Sequence, residues 1–431
     1  MVSREKLIFF FNLLPAMAVL LSAGHAWAAN HIKITPMIVV MEEYDDNLFL
    51  DHDNKKSDFI TTASTKITIN LDSGKNGLEL EYSPTLVKYH EYSGNDTIRH
   101  NGNFNFWHRF NKYFKFTLKE DYLKSEDPLG ETTDLEGNTQ TVRHTRNIYQ
   151  KNSASAGLDY QFGSKNHFIV EYGHELLIND DPSLDDATGQ GPSGTLYFWF
   201  DGKNGIELNY QFTRVRYERK DGTPSGDNFY GHETGALYSH YFNPHTRIFI
   251  SYDLTVRDFE DLEDYKVHNG LIGLDYGFSP HTTLSLGAGI YKPTGGLSEG
   301  SGFSFSARLN KKFKHGNISL GTSTGWDEGY LEIDKRGFTT NWGLDTTIDY
   351  QLKKDVRVHG GIAYLQNRDL ENLEDGTYEG RCGIRWNFRR WYSLGMDYTI
   401  RSHASDNLDD EYMDNRIMMF LSASKMFKVF R

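Results

Sequence analysis

The pattern that decides the fold is clearest in Ile206-Glu207-Leu208-Asn209-Tyr210-Gln211-Phe212, where apolar and polar residues alternate strictly. Successive side chains of a β-strand point to opposite faces, so this stretch has one apolar side and one polar side. The same two-residue period runs through residues 247–257, 341–352 and 392–401, with Phe249 as an exception. Helical periodicity of 3.6 residues is not seen in these segments.

Short turns, most of them preceded by an aromatic residue or leucine, separate the alternating segments. From residue 162 onward they recur about every 35–42 residues, which is the length of two strands, a turn and a loop. These turns are Leu71-Asp72-Ser73-Gly74-Lys75-Asn76, Phe110-Asn111-Lys112, Phe162-Gly163-Ser164-Lys165-Asn166, Phe200-Asp201-Gly202-Lys203-Asn204, Phe242-Asn243-Pro244-His245, Phe278-Ser279-Pro280-His281, Phe313-Lys314-His315-Gly316, Leu352-Lys353-Lys354-Asp355 and Phe388-Arg389-Arg390.

The remaining connections are longer, and we predict loops at residues 44–57, 125–145, 179–193, 218–228, 369–376 and 404–411. Short turns at one end and long loops at the other are typical of outer-membrane barrels. We therefore predict an all-β fold, a transmembrane antiparallel up-and-down β-barrel of about 20 strands, within a range of 16–20. A soluble propeller or sandwich would alternate as well, but aromatic residues beside the turns favour the membrane barrel.

The N-terminus has the features of a secretory signal peptide. Arg4 and Lys6 precede an apolar stretch at residues 7–21, and Ala26-Trp27-Ala28 supplies small residues for cleavage. We predict a signal peptide at residues 1–28 and a single barrel domain at residues 29–431, located in the outer membrane. An uncleaved anchor helix is the alternative, but the apolar core is shorter than the ~20 residues that span a bilayer.

The predicted short turns and long loops differ in charge. The short turns are mainly basic and the long loops acidic, and the net charge of -13 argues against a nucleic-acid partner. We expect the acidic loops to stay solvated and, as a sharper hypothesis, to gather divalent cations shared with lipopolysaccharide phosphates. No loop matches a known calcium motif, so the sequence names no metal ligand.

Charged residues also occupy the polar side of the predicted strands, where only water or an opposite charge makes them stable. We predict that they line the lumen, and their acidic excess favours neutral or cationic solutes. The alternative is a closed lumen filled by ion pairs, with residues 125–145 as a plug. The predicted lining residues are Glu79, Glu81, Lys115, Lys119, Asp121, Glu207, Arg247, Asp253, Arg257, Asp275, Asp345, Asp349, Asp397 and Arg401.

The sequence carries little that indicates catalysis. It contains no HExxH and no phosphate loop, and its 17 histidines are scattered. We expect no enzyme activity, no cofactor and no metal site. Cys382 is the only cysteine and shares its strand parity with Ile384, so we expect it to face lipid.

The C-terminal stretch ends on Phe427 and Phe430, and it looks like the terminal strand that the barrel-assembly machinery recognises. Arg431 departs from the usual aromatic ending. Outer-membrane lipid, lipopolysaccharide and this machinery are therefore the partners that the sequence predicts.

Two short stretches near the N-terminus resemble a known protein family. They are Tyr44-Asp45-Asp46-Asn47-Leu48-Phe49 and, shortly after it, Lys55-Lys56-Ser57-Asp58-Phe59-Ile60. This first hairpin resembles a family of outer-membrane β-barrel porins often found beside exopolysaccharide synthesis and export genes. The resemblance implies a barrel that takes part in exopolysaccharide export, with periplasmic components of the export system docking on the basic turns. From the residues themselves we expect Asp46-Asn47 to form a hydrogen-bonded turn into the first loop.

Two other functions stay open at this point. One is a diffusion porin for small hydrophilic solutes that prefers cations. The other is a structural or adhesive barrel with a closed lumen, whose acidic loops bind a surface ligand.

Overall fold

The computed structural model describes residues 31–128, 146–223, 225–297, 300–329, 337–369, 373–407 and 410–430. The predicted signal peptide, Arg431 and most of the predicted plug, residues 129–145, lie outside these ranges. The described residues include one 3-10 turn, Ser93–Asn95, and none of them belongs to a helix long and apolar enough to cross a membrane.

The remaining regular structure in these ranges is β-strand. The strands are β1 (His31–Asp45), β2 (Asp58–Asp72), β3 (Asn76–Tyr89), β4 (Thr97–Arg109), β5 (Phe114–Ser125), β6 (Tyr149–Gln161), β7 (His167–Asn179), β8 (Asp186–Trp199), β9 (Asn204–Glu218), β10 (Phe229–Asn243), β11 (Thr246–Phe259), β12 (Tyr265–Ser279), β13 (Thr282–Gly295), β14 (Gly302–Phe313), β15 (Gly316–Gly329), β16 (Gly337–Lys353), β17 (Val356–Arg368), β18 (Glu374–Arg389), β19 (Tyr392–Ser405), β20 (Tyr412–Ser424) and β21 (Phe427–Phe430).

The strands form one closed antiparallel sheet. Each strand from β1 to β19 pairs with the next one along the chain, and β1 also pairs with β20 and β21. Met37 lies opposite Ser424 and Ile34 opposite Phe427, so β21 continues β20 in the same register. The wall therefore contains 20 strand positions, which confirms the predicted antiparallel barrel and its strand count.

The two ends of the barrel differ as predicted. Two residues, 244–245, connect β10 to β11, and two, 314–315, connect β14 to β15. At the opposite end, residues 46–57 connect β1 to β2 and residues 219–228 connect β9 to β10. We call these the short-turn end and the long-loop end; β1 begins and β21 ends at the short-turn end.

The prediction of a loop at residues 179–193 is wrong, because β8 begins at Asp186. The stretch is rich in glycine, serine and proline, which usually indicates a loop. Pro192 nevertheless pairs with Tyr172 on β7, while the pairing with β9 is interrupted between Gln190 and Ser193. A proline has no N–H to donate, so it is tolerated where the ladder is already broken on one side.

One face of the sheet is apolar and exposed. Ile250, Ile272 and Ile290 are 56%, 58% and 59% exposed, and Ile250 lies directly opposite Ile272 on the neighbouring strand. Isolated exposed apolar residues are ordinary, but a continuous exposed apolar band marks a surface that contacts something other than water.

Candidate functional site: the barrel interior

The inner face of the wall is identified by side chains that meet across several strands. Arg146, just before β6, places Nη2 3.0 Å from Oδ2 of Asp45 on β1. Arg416 on β20 reaches Asp127, just after β5, at 3.5 Å. Residues so far apart around a closed wall can meet only on its concave side. Asp45 and Arg416 are themselves paired in the register, so this side is the interior of the barrel.

Residues directly opposite each other on neighbouring strands point to the same face of the sheet. The pairing register therefore shows which side chains of each strand lie on the inner face. By this criterion all 14 residues predicted to line the lumen lie on the inner face. They are Glu79, Glu81, Lys115, Lys119, Asp121, Glu207, Arg247, Asp253, Arg257, Asp275, Asp345, Asp349, Asp397 and Arg401.

Ion pairs connect several of these residues to neighbouring strands. Asp345 accepts from Arg308 at 3.2 Å, although Arg308 lies two strands away. Asp349 lies 3.2 Å from Arg357 Nε. Each such pair balances the charge of a carboxylate that stays on the inner face. The pair also holds the acidic side chain against the barrel wall.

Two of the predicted lining residues are enclosed in buried ion pairs. Arg257 Nη2 lies 2.5 Å from Glu328 Oε2 and 2.6 Å from Glu233 Oε1, and its side chain is 7% exposed. Arg401 pairs with Glu379 in a similarly buried position. These arginines therefore join strands to one another near the long-loop end and present little charge to solvent.

The first loop folds inward at the long-loop end. Leu48 is fully buried and packs against Ile60, Val87 and Tyr89 on the inner faces of β2 and β3. Arg146 holds it there, because its Nε donates to the Leu48 carbonyl at 2.5 Å and its Nη1 to the Tyr89 hydroxyl at 3.1 Å. This part of the mouth is narrowed by ordered, buried structure.

The motif that carried the family resemblance closes the seam between β1 and β20. Asn47 Nδ2 donates to the Asp51 and Met413 carbonyls at 2.8 and 3.0 Å. Asp46 accepts from the backbone and the side chain of Asn415 on β20. The predicted turn is present, but Asp45 rather than Asp46 accepts the Asn47 N–H.

Three carboxylates come together at this seam: Asp45, Asp46 and Asp414. No local sequence pattern predicts this group, since Asp414 is nearly 370 residues from Asp45 along the chain. Arg146 and Arg416 already contact Asp45 Oδ2 at 3.0 and 3.4 Å. The group is therefore part of a mixed ion-pair cluster, and no metal ligands are assigned.

At the short-turn end, aromatic rings lie flat against the inner wall. Phe249 on β11 covers Gly273 on β12, and a Cβ added to that glycine would lie 2.1 Å from Phe249 Cζ. Phe420 on β20 covers Gly395 on β19 in the same way. An arginine guanidinium sits over each ring, at 4.7 Å for Arg247 and 5.2 Å for Arg385.

These rings explain the exception in the alternation. Phe249 occupies an inward position among polar residues because its neighbour on β12 has no side chain. Reasoning along one strand could not find this, since the partner glycine lies on the next strand. Cys382 is exposed and shares its face with Ile384, as its parity predicted.

No protein-family model and no curated protein sequence matches this chain. Solved structures that resemble it include the siderophore receptor PirA of Pseudomonas aeruginosa, with a TM-score of 0.52 at 9% identity over 90% of this chain and 80% of that chain. The ferric enterobactin receptor PfeA of the same organism gives 0.53 at 9% identity, covering 92% and 82%. OccAB3 of Acinetobacter baumannii gives 0.42 at 13% identity, covering 92% and 99%. The similarities to PirA and PfeA establish the fold, a closed barrel of the outer-membrane type.

Proposed function

We propose that this chain is an outer-membrane channel through which small hydrophilic solutes diffuse. The observation that carries the proposal is the opposite character of the two faces of one wall. Ile250 and Ile272 are exposed on the outside, while Asp253 and Asp275 on the same strands point inward. A wall of this kind suits hydrocarbon on one side and water on the other.

The strand count supports an aqueous path. Barrels of eight strands are filled by their own side chains, whereas those of 16–18 strands leave a channel and those of 22 strands enclose a plugged lumen. With 20 strand positions, this wall is larger than the open porins and smaller than the plugged barrels. The short turns then face the periplasm and the long loops face the outside, as in other barrels of this type.

The inner charges favour cations. Nine of the 14 proposed lining residues are acidic and five are basic. Arg308 and Arg357 balance Asp345 and Asp349, so the acidic excess rests on the other seven carboxylates. The two buried arginines, Arg257 and Arg401, contribute little to the potential that a solute meets. An acidic lining raises the local concentration of cations and lowers that of anions.

Single-channel recording in a planar lipid bilayer tests this function. We expect discrete conductance steps and, in a salt gradient, a reversal potential on the cation-selective side. Protein that inserts and shows a heat-modifiable gel shift, but conducts nothing, would refute the channel and favour a structural barrel with a closed lumen. The inward-folded first loop is the observation that favours that alternative.

Exopolysaccharide export is a second candidate, and its support is the resemblance of the first hairpin. The matching residues Asp45, Asp46 and Asn47 contact β20 and the first loop, so they serve barrel closure rather than cargo selection. The resemblance therefore supports the barrel more than the cargo. Unchanged surface polysaccharide in a deletion strain would rule this role out.

A further inference from the structure

The outer face of β9–β13 carries a group of basic side chains at the long-loop end, which we call the basic patch. Its members share the outer face with Ile250, Ile272 and Ile290. His268 on β12 pairs directly with Lys292 on β13, and Lys266 lies two residues from His268. Both lysines are exposed. The patch consists of Arg214, Arg216, His232, Lys266, His268 and Lys292.

The patch lies immediately beyond a row of interfacial tyrosines. The Tyr252 hydroxyl is 2.7 Å from His268 Nδ1, and the Tyr210 hydroxyl is 2.9 Å from His232 Nδ1. Tyrosines concentrate where the hydrocarbon ends and the headgroups begin. The basic patch is therefore at the height of lipid headgroups, on the side of the loops.

Arg214 has an unused donor. Its guanidinium lies over the Tyr230 ring at 5.3 Å, and its buried Nε has no acceptor among the residues that the structure describes. A buried N–H of this kind calls for an acceptor from a ligand or from water. Acidic residues on the same face, Glu218 and Asp258, lie nearer the loop tips than the two lysines.

Below the patch, the outer face is grooved rather than smooth. One shallow groove of about 800 Å³ runs between Ile250, Ile272 and Phe303, where Ala236 and Ala288 leave space. A second groove of about 610 Å³ adjoins it on the side of β8. Both are lined almost entirely by apolar groups, which suits hydrocarbon chains.

We propose that this face binds a phosphorylated lipid of the lipid A class. Lys266, Lys292 and Arg214 contact its phosphates, and its acyl chains lie in the two grooves. Charge complementarity favours this occupant, because the cationic donors of the patch match the negative phosphates of the lipid. The apolar grooves lie next to the patch on the side of the short-turn end, where the acyl chains of the same lipid molecule would lie. The inference rests on the membrane placement proposed above.

Native mass spectrometry of the purified protein in detergent tests the site, with diphosphoryl lipid A and dephosphorylated lipid A as probes. K266Q/K292Q is compared with K88Q/K124Q, which removes two lysines from the outer face at the same end but on β3 and β5. We expect each lysine of the patch to contribute about five-fold to lipid A affinity, and the double variant to lose about twenty-five-fold. A288F fills the larger groove and should weaken binding of both lipids.

Equal lipid A binding by K266Q/K292Q and K88Q/K124Q would overturn the proposal. So would equal affinity of the wild type for the two lipids, or a lipid-free dimer held together through this face. Conductance is recorded on the same variants and should stay at the wild-type value. A lost lipid site and a lost channel are therefore distinguishable results.

Discussion

Arg146 and Asp45 are 101 residues apart in the chain, yet Arg146 Nη2 lies 3.0 Å from Asp45 Oδ2 and both side chains are buried. Their contact joins the segment before β6 to the end of β1 and holds the first loop inside the mouth. Removing Arg146 leaves Asp45 with only the more distant Arg416 contact, at 3.4 Å, and also removes the donors to the Leu48 carbonyl and the Tyr89 hydroxyl. Breaking a buried ion pair in this way is destabilising.

Replacing Arg146 by methionine should therefore lower the free energy of unfolding by about 3 kcal/mol. The measurement is urea unfolding in detergent micelles, followed by tryptophan fluorescence. D53N is the control, because this exposed carboxylate belongs to the same loop and its side chain is 93% exposed. If R146M unfolds at the same urea concentration as D53N, the buried contact does not stabilise the mouth.

The ring of Phe249 over Gly273 leads to a second prediction. G273A places a methyl group where the ring lies, and overpacking of this kind costs about 2 kcal/mol. G270A on the same strand is the control, since a Cβ there would meet nothing within 4 Å. The double variant F249A/G273A should recover part of the lost stability. No recovery would mean that the ring and the glycine do not interact.

Because β11 has an outer and an inner face, a new charge at two adjacent positions should affect stability differently. I250K puts an ammonium group on the lipid side and should destabilise the barrel by ~2–4 kcal/mol if the site is near the bilayer centre. S251K puts the same group on the inner side, where we expect little change. Unfolding of the two variants in lipid vesicles is the measurement, and equal stability would contradict the assignment of the faces.

The inner carboxylates should set the ion selectivity. In E207Q/D253N, two acidic groups become neutral while their size is kept, so the preference for cations should fall. The reversal potential in a potassium chloride gradient measures it, with D53N at the loop as the control. If the reversal potential shifts as much in D53N as in E207Q/D253N, the charges at the mouth and not those in the lumen set the ion selectivity.

Much of the wall was predictable because a strand face depends only on two-residue parity. The exposure of Ile250 and the inward position of Asp253 follow from the sequence around them. The contacts of Leu48 could not be predicted, since Val87 and Tyr89 lie on another strand. The start of β8 was missed because local composition resembles a loop, while its pairing with β7 and β9 is a long-range property.

The proposed channel requires that Asp253 faces a water-filled lumen while Ile250, three residues away, faces lipid. Cys382 is the only cysteine, so C382A provides a background free of other thiols. In this background D253C and I250C are recorded in planar bilayers before and after addition of a charged, membrane-impermeant methanethiosulfonate reagent. We predict that the single-channel conductance of D253C falls in a step and that I250C does not respond. An unchanged conductance in D253C, or a response in I250C, would show that these two side chains do not face lumen and lipid in this way.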